Sequence, residues 1–167
     1  MNFDEESVPY HDVALVCLNG HVINDSVRNM PQFNKKFCDR CGEPTIQECP
    51  ECKESIQGHY WTPGVFGVGK VPAPSFCQHC GKPFPWTKRR LAAAKEVAEQ
   101  LNDISPAEKQ QLKQTIDDLA HEGPRTEPAK LRFKTIMRKV GKESYDVMKG
   151  VVTDLVSETV KKSIFGG

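Results

Sequence analysis

Phe37-Cys38-Asp39-Arg40-Cys41-Gly42-Glu43-Pro44-Thr45-Ile46-Gln47-Glu48-Cys49-Pro50-Glu51-Cys52 holds two C-x2-C pairs in one short stretch. Each such pair points two sulfurs at one place, as a tetrahedral thiolate-bound metal requires. Working outward, Cys77-Gln78-His79-Cys80 repeats the spacing downstream. Upstream, Cys17-Leu18-Asn19-Gly20-His21 is one residue longer and ends in imidazole, with Asn19-Gly20 supplying the turn. Seven cysteines and one histidine therefore make eight ligands, Cys17, His21, Cys38, Cys41, Cys49, Cys52, Cys77 and Cys80, enough for two closed zinc sites.

Four pairs can be shared between two metals in three ways. Sixteen residues separate His21 from Cys38, seven separate Cys41 from Cys49, and twenty-four separate Cys52 from Cys77. The first gap suits a zinc ribbon, the third a ribbon with an enlarged loop, and the second a linker between ribbons. Sequential sites are favoured: Cys17, His21, Cys38 and Cys41, then Cys49, Cys52, Cys77 and Cys80. A cross-braced pairing, or a compact Cys38, Cys41, Cys49 and Cys52 site, uses the same eight residues.

All seven cysteines lie between positions 17 and 80, and the rest of the 167 residues is rich in Ala, Lys, Glu and Leu. Two unlike halves are expected: residues 1–86, a tandem zinc-ribbon module, and residues 87–167, a helical region. The fold class is α+β, with short hairpins and knuckles before helices. A cysteine-rich segment of this size has too little apolar surface for an ordinary core, and two structural zinc ions make up the deficit. A disulfide framework is the competing reading, but C-x2-C spacing points to metal and disulfides need an oxidising compartment. The acidic start Met1-Asn2-Phe3-Asp4-Glu5-Glu6 lacks an apolar signal core, and no apolar run reaches membrane-spanning length. A cytoplasmic protein without a transmembrane segment is expected.

The net charge of +1 conceals an asymmetry. Residues 1–82 carry 7 basic and 10 acidic side chains, net −3, whereas residues 83–167 carry 16 and 12, net +4. Seven thiolates and two zinc dications would bring the metal half to −6, a poor match for a phosphate backbone.

Along the metal half, Val13, Leu15 and Cys17 suggest one strand from His11 to Cys17, returned by Val22-Ile23, with Thr45-Ile46-Gln47 as another short strand. From Thr87 the period becomes helical, and four helices are predicted at 87–102, 105–121, 128–140 and 142–164. Ser105-Pro106-Ala107-Glu108 opens the second with a capping box and a proline at its first position. Gly150 is the weak point of the fourth.

No catalytic residue is nominated. Eight ligands over two metals leave no open coordination position, and no H-x-E precedes a P-C-x-x-C as zinc deaminases need. The setting of the pairs is not that of a redox C-x-x-C. His11, His59, His79 and His121 are expected to be surface or loop side chains. Gly64-Val65-Phe66-Gly67-Val68-Gly69-Lys70 imitates a phosphate-binding loop, but Val71 replaces the hydroxyl residue and Pro72 and Pro74 forbid the helix that must follow. Phe165-Gly166-Gly167 reads as a helix stop rather than a conjugation tail.

Two features remain for function. Tyr60, Trp61 and Phe66 on the long loop, with Trp86 beyond it, are candidates for partner binding. Arg125–Lys142 carries seven basic residues against the single acid Glu127, and its Lys130, Arg132, Lys134, Arg138 and Lys139 are candidates for nucleic-acid binding.

The segments Cys17–Asn24 and Phe37–Cys52, with the closure Phe76-Cys77-Gln78-His79-Cys80-Gly81-Lys82-Pro83-Phe84-Pro85-Trp86-Thr87, resemble an uncharacterised bacterial zinc-ribbon family, domain of unknown function family 2321. The resemblance covers residues 1–88 and implies the ligand set without any activity. Individual knuckles are similar to double zinc ribbons, which commonly serve as interaction modules. The reading is a non-catalytic zinc-binding adaptor with a protein partner, nucleic-acid binding through the basic helix as the alternative, and self-association open to the carboxyl-terminal helices.

Overall fold

The computed structural model describes residues 8–67 and 69–166. Short strands precede helices in a mixed α+β chain: β1 (Tyr10–Val13), β2 (Leu15–Cys17), β3 (Val22–Asn24), β4 (Thr45–Ile46) and β5 (Gln57–Trp61), then α1 (Pro85–Gln100), α2 (Pro106–Ala120), α3 (Thr126–Met137), α4 (Lys142–Thr153) and α5 (Glu158–Phe165). The chain divides into two compact units between Thr87 and Lys88.

In the first unit, the single strand expected from His11 to Cys17 is two strands in two sheets. β1 pairs antiparallel with β5, while β2 is the middle strand of β3-β2-β4. The run changes sheets at Ala14, whose N–H donates to the Ile56 carbonyl at 2.8 Å. Val13 to Cys17 are consecutively buried, so the expected alternation is absent. A segment that leaves one sheet for another meets protein on both faces.

Packing in this unit mixes apolar side chains with cysteine. Ala14, Val16, Ile56, Phe84 and Trp86 form one cluster with Cys49 and Cys77. Trp86 is 0% exposed, stacks on Phe84 at 4.7 Å between ring centroids, and donates its indole N–H to the Pro74 carbonyl at 2.8 Å. This corrects the expectation that Trp86 is displayed to a partner: it is a core residue, buried with its one polar atom satisfied.

Two polar devices hold the strands in place. The buried Asp12 carboxylate accepts N–H bonds from Val13, Arg28 and Asn29 at 2.6, 3.0 and 3.1 Å, fixing the turn after β3. Gly58 lets β5 approach that turn: a Cβ there would lie 2.3 Å from the Asp25 carbonyl oxygen and 2.8 Å from the Val13 carbonyl carbon.

In the second unit, Leu112, Ile116, Phe133, Met137, Met148, Val152, Val160 and Ile164 are among the residues of one apolar core. The Ser105–Glu108 capping box closes in both directions, at 3.0 and 3.2 Å. α3 begins two residues before its predicted start, and residues past Met137 tighten, with Lys139 N–H donating to Ile136 and Val140 N–H to Met137.

The predicted helix 142–164 is divided. It breaks at Asp154–Ser157, and Gly150 stays inside α4. Leu155 N–H turns back to the Val152 carbonyl, and the Ser157 hydroxyl accepts from Val160 N–H as the cap of α5. The break brings Val152, Leu155, Val160 and Ile164 into the same core.

Gly58→Ala should lower the stability of the first unit by about 1–3 kcal/mol, because backbone on both sides must give way. The check is the midpoint of chemical unfolding against Gly150→Ala, a helix-interior position with open space around its Cβ that should gain up to about 1 kcal/mol.

Candidate metal centres

Three of the four ligand pairs share one backbone design. Cys38, Cys49 and Cys77 each donate N–H to a carbonyl five residues on, those of Glu43, Glu54 and Lys82, at 2.8, 2.8 and 2.9 Å. Gly42, Lys53 and Gly81, each following the second cysteine of its pair, donate N–H back to the carbonyl of the first. Bridges Phe37–Pro44, Glu48–Ser55 and Phe76–Pro83 close all three knuckles in the same register. The turn needs a positive φ after the second cysteine, and Gly42, Lys53 and Gly81 adopt 75°, 66° and 74°. Lys53 is the only non-glycine with positive φ among the described residues. Aligning the three C-x2-C pairs would have exposed that odd position in the sequence.

The fourth pair is built differently. Cys17 ends β2 and His21 precedes β3, so a hairpin rather than a knuckle presents them. Gly20 N–H donates to the Cys17 carbonyl at 2.8 Å, and His21 N–H to the Cys17 sulfur at 3.3 Å.

These elements gather the eight side chains into two sets, Cys17, His21, Cys38 and Cys41, and Cys49, Cys52, Cys77 and Cys80. Within each set one ligand atom per residue lies within 4.8 Å of every other, so each set could hold a metal ion. This is the sequential arrangement. Cys17 Sγ lies 3.8 Å from Cys41 Sγ, and His21 Nδ1 lies 3.4 and 3.5 Å from the sulfurs of Cys17 and Cys38. In the second set, Cys49–Cys80 and Cys52–Cys77 sulfurs are 3.8 and 3.7 Å apart. All seven cysteines are free, and these distances far exceed a disulfide bond of about 2.05 Å.

Without a cation, such crowding divides the thiols. The Glu43 amide at Cys41 holds that thiol down to about 6, and the amides of Cys80 and His79 hold Cys77 to about 7. Burial pushes Cys17 up. At Cys52 the Glu54 amide pulls downward, but lost hydration and the neighbouring Cys77, Cys80 and Cys49 outweigh it and raise the thiol to about 12. Each set favours partial ionisation, which a bound cation would complete.

The remaining histidines serve elsewhere, and none joins a metal set among the described residues. His11 lies tilted against Tyr60 at 4.7 Å, and His59 meets Trp61 edge-on at 5.2 Å. His79 is 4.0 Å from Glu54, and the His121 ring nitrogen is 2.9 Å from the Asp117 carbonyl. In the phosphate-loop imitation, Thr62–Val65 is bridged and no helix follows Lys70; Val68 lies outside the described residues.

Of the aromatic candidates, Phe66 is 94% exposed and Tyr60 51%, while Trp61 is half-buried. Trp61, Phe66, Tyr10 and Met30 help to line a cleft of about 370 Å³. On the basic helix, Lys130 pairs with Glu127 at 2.6 Å, Arg132 with Asp118 at 2.6 Å, and Lys139 with Glu108. Lys134 and Arg138 meet no acid among the described residues.

A family model described as "Uncharacterized protein conserved in bacteria (DUF2321)" matches residues 10–164. No curated protein and no solved structure matches the chain.

The knuckle geometry predicts opposite effects at equivalent positions. Gly42→Ala and Gly81→Ala should each cost about 1 kcal/mol, wholly from the left-handed backbone, since a Cβ there would touch nothing within 4 Å. Lys53→Gly should gain up to about 1 kcal/mol by relieving the same strain. Thermal unfolding of the three variants checks both signs.

Proposed function

The chain belongs to this bacterial family, and we propose that it is a zinc-binding interaction module whose two metal ions are structural and whose function is not catalytic. Donor geometry carries the reading. A tetrahedral zinc with bonds of about 2.3 Å to sulfur and about 2.0 Å to nitrogen has edges near 3.8 Å between sulfurs and 3.5 Å between sulfur and nitrogen. The observed separations of 3.7 and 3.8 Å, and of 3.4 and 3.5 Å, match both edges. Seven sulfurs and one imidazole suit a borderline-soft ion and discriminate against magnesium or calcium.

Four protein donors per metal complete each tetrahedron, which supports a structural role and leaves no position for water or substrate. Cys49 and Cys77 lie in the same cluster as Trp86 and Ile56, so metal and apolar core stabilise one another. A reducing cytoplasm would keep these thiols available. The exposed Tyr60 and Phe66, beside the cleft, are the surface we assign to a protein partner. Nucleic-acid binding by the basic helix has less support, because Lys130, Arg132 and Lys139 are already neutralised within the chain.

Native mass spectrometry of protein purified under reducing conditions should find two zinc ions per chain, and one after either Cys17→Ser or Cys49→Ser. Iron, or a single metal, would overturn the assignment. Zinc uptake by the metal-free protein at pH 7 should release protons, because the raised Cys17 and Cys52 thiols are protonated there and must ionise to bind. Titration in weakly buffered indicator solution measures that release. Tyr60→Ser/Phe66→Ser should retain both metals and lose association with a protein that the unaltered chain binds.

A further inference from the structure

The cations of α3 and its flanks are sorted by their partners. Arg125 and Arg132 both reach Asp118 of α2, at 2.9 and 2.6 Å; Lys130 pairs with Glu127 and Lys139 with Glu108. That leaves Lys134 and Arg138, four residues apart and joined by the Arg138 N–H to Lys134 carbonyl bond of 3.2 Å, so one helical turn separates them on one face. Both line a notch of about 230 Å³, whose other walls are Phe133 and Met137 of α3, Tyr145 of α4 and Ile164 of α5. Between Arg125 and Lys139, the two cations that meet no acid among the described residues are thus the two beside an apolar recess.

The recess and its rim demand different things of a ligand. Phe133 and Tyr145 each meet Phe165 edge-on, at 5.7 and 6.4 Å, and this aromatic arrangement favours an apolar body. The guanidinium of Arg138 and ammonium of Lys134 favour carboxylates, the former in a bidentate grip. A volume of about 230 Å³ is small for an acyl chain and adequate for one bulky side chain. Two cations are few for a nucleic-acid backbone or an anionic bilayer, which are held by clusters of about four to eight.

We propose that this notch docks an acidic protein segment, one bulky apolar side chain seated between α3, α4 and α5 with carboxylates on either side of it held by Lys134 and Arg138. Charge complementarity selects that occupant: the basic helix has spent its other cations on internal acids, so its net attraction is confined to the rim of the recess.

The test uses the full, metal-loaded chain and a fluorescent nonapeptide with a central phenylalanine between two pairs of glutamates. Lys134→Glu/Arg138→Glu should weaken binding by about tenfold or more. Lys142→Glu/Lys162→Glu, which reverses the same charge at exposed positions that do not line the notch, should change it less than about threefold. Replacing the phenylalanine by alanine, or the glutamates by glutamines, should each reduce affinity at least as much as the notch variant. Equal loss in both double variants, or undiminished binding of the alanine peptide, would overturn the proposal in favour of general electrostatic attraction. Failure of the unaltered chain to bind the phenylalanine peptide would overturn it too. So would tighter binding of single-stranded RNA or phosphatidylglycerol vesicles that depends on Lys134 and Arg138.

Discussion

Four sulfur or nitrogen donors brought within 4.8 Å of one another cannot all lose their protons unless something positive balances them. The first unit is organised around that constraint. Its knuckles turn amide groups toward thiols, drawing Cys41 and Cys77 down, yet Cys17 and Cys52 remain raised, so the amide groups do not complete the ionisation. The strands are two to five residues long and would be marginal alone; the same cysteines that would hold metal also pack against Phe84, Trp86 and Ile56. Sheet, core and metal sites in this unit depend on one set of sulfurs.

The second unit is stabilised differently. Leu112, Ile116, Phe133, Met148 and Val152 are almost wholly buried, and its helices carry their own caps at Ser105 and Ser157. Surface charge there is mostly consumed internally, Asp118 alone meeting both Arg125 and Arg132. Such exposed or half-exposed pairs contribute little stability, on the order of 0–1 kcal/mol each, but they decide which cations are left to meet another molecule.

Much of this was legible in the residues. Three C-x2-C pairs and the longer Cys17–His21 pair gave the eight candidate ligands, and the loop lengths favoured the sequential division. Ser105-Pro106-Ala107-Glu108 announced its capping box. Less legible was whatever depended on long-range packing. Trp86 sits beside a proline-rich loop and reads as exposed, but Phe84 and the Pro74 carbonyl complete its surroundings from either side. The run from His11 to Cys17 reads as one strand because nothing local at Ala14 reveals that its N–H will be taken by Ile56, forty-two residues away. The helix break before Ser157 is hidden in the sequence because Gly150 offers a more obvious weak point, while the core requires the turn several residues later.

The sequence by itself determined the candidate ligands, the two unlike halves and the helical periods, because metal coordination and amphipathic packing impose spacings that recur over a few residues. Only the tertiary structure decided that Trp86 is core, and that Lys134 and Arg138 are the cations left beside an apolar recess. Each of those outcomes depends on which distant groups arrive at a residue, and neither spacing nor composition encodes an arrival.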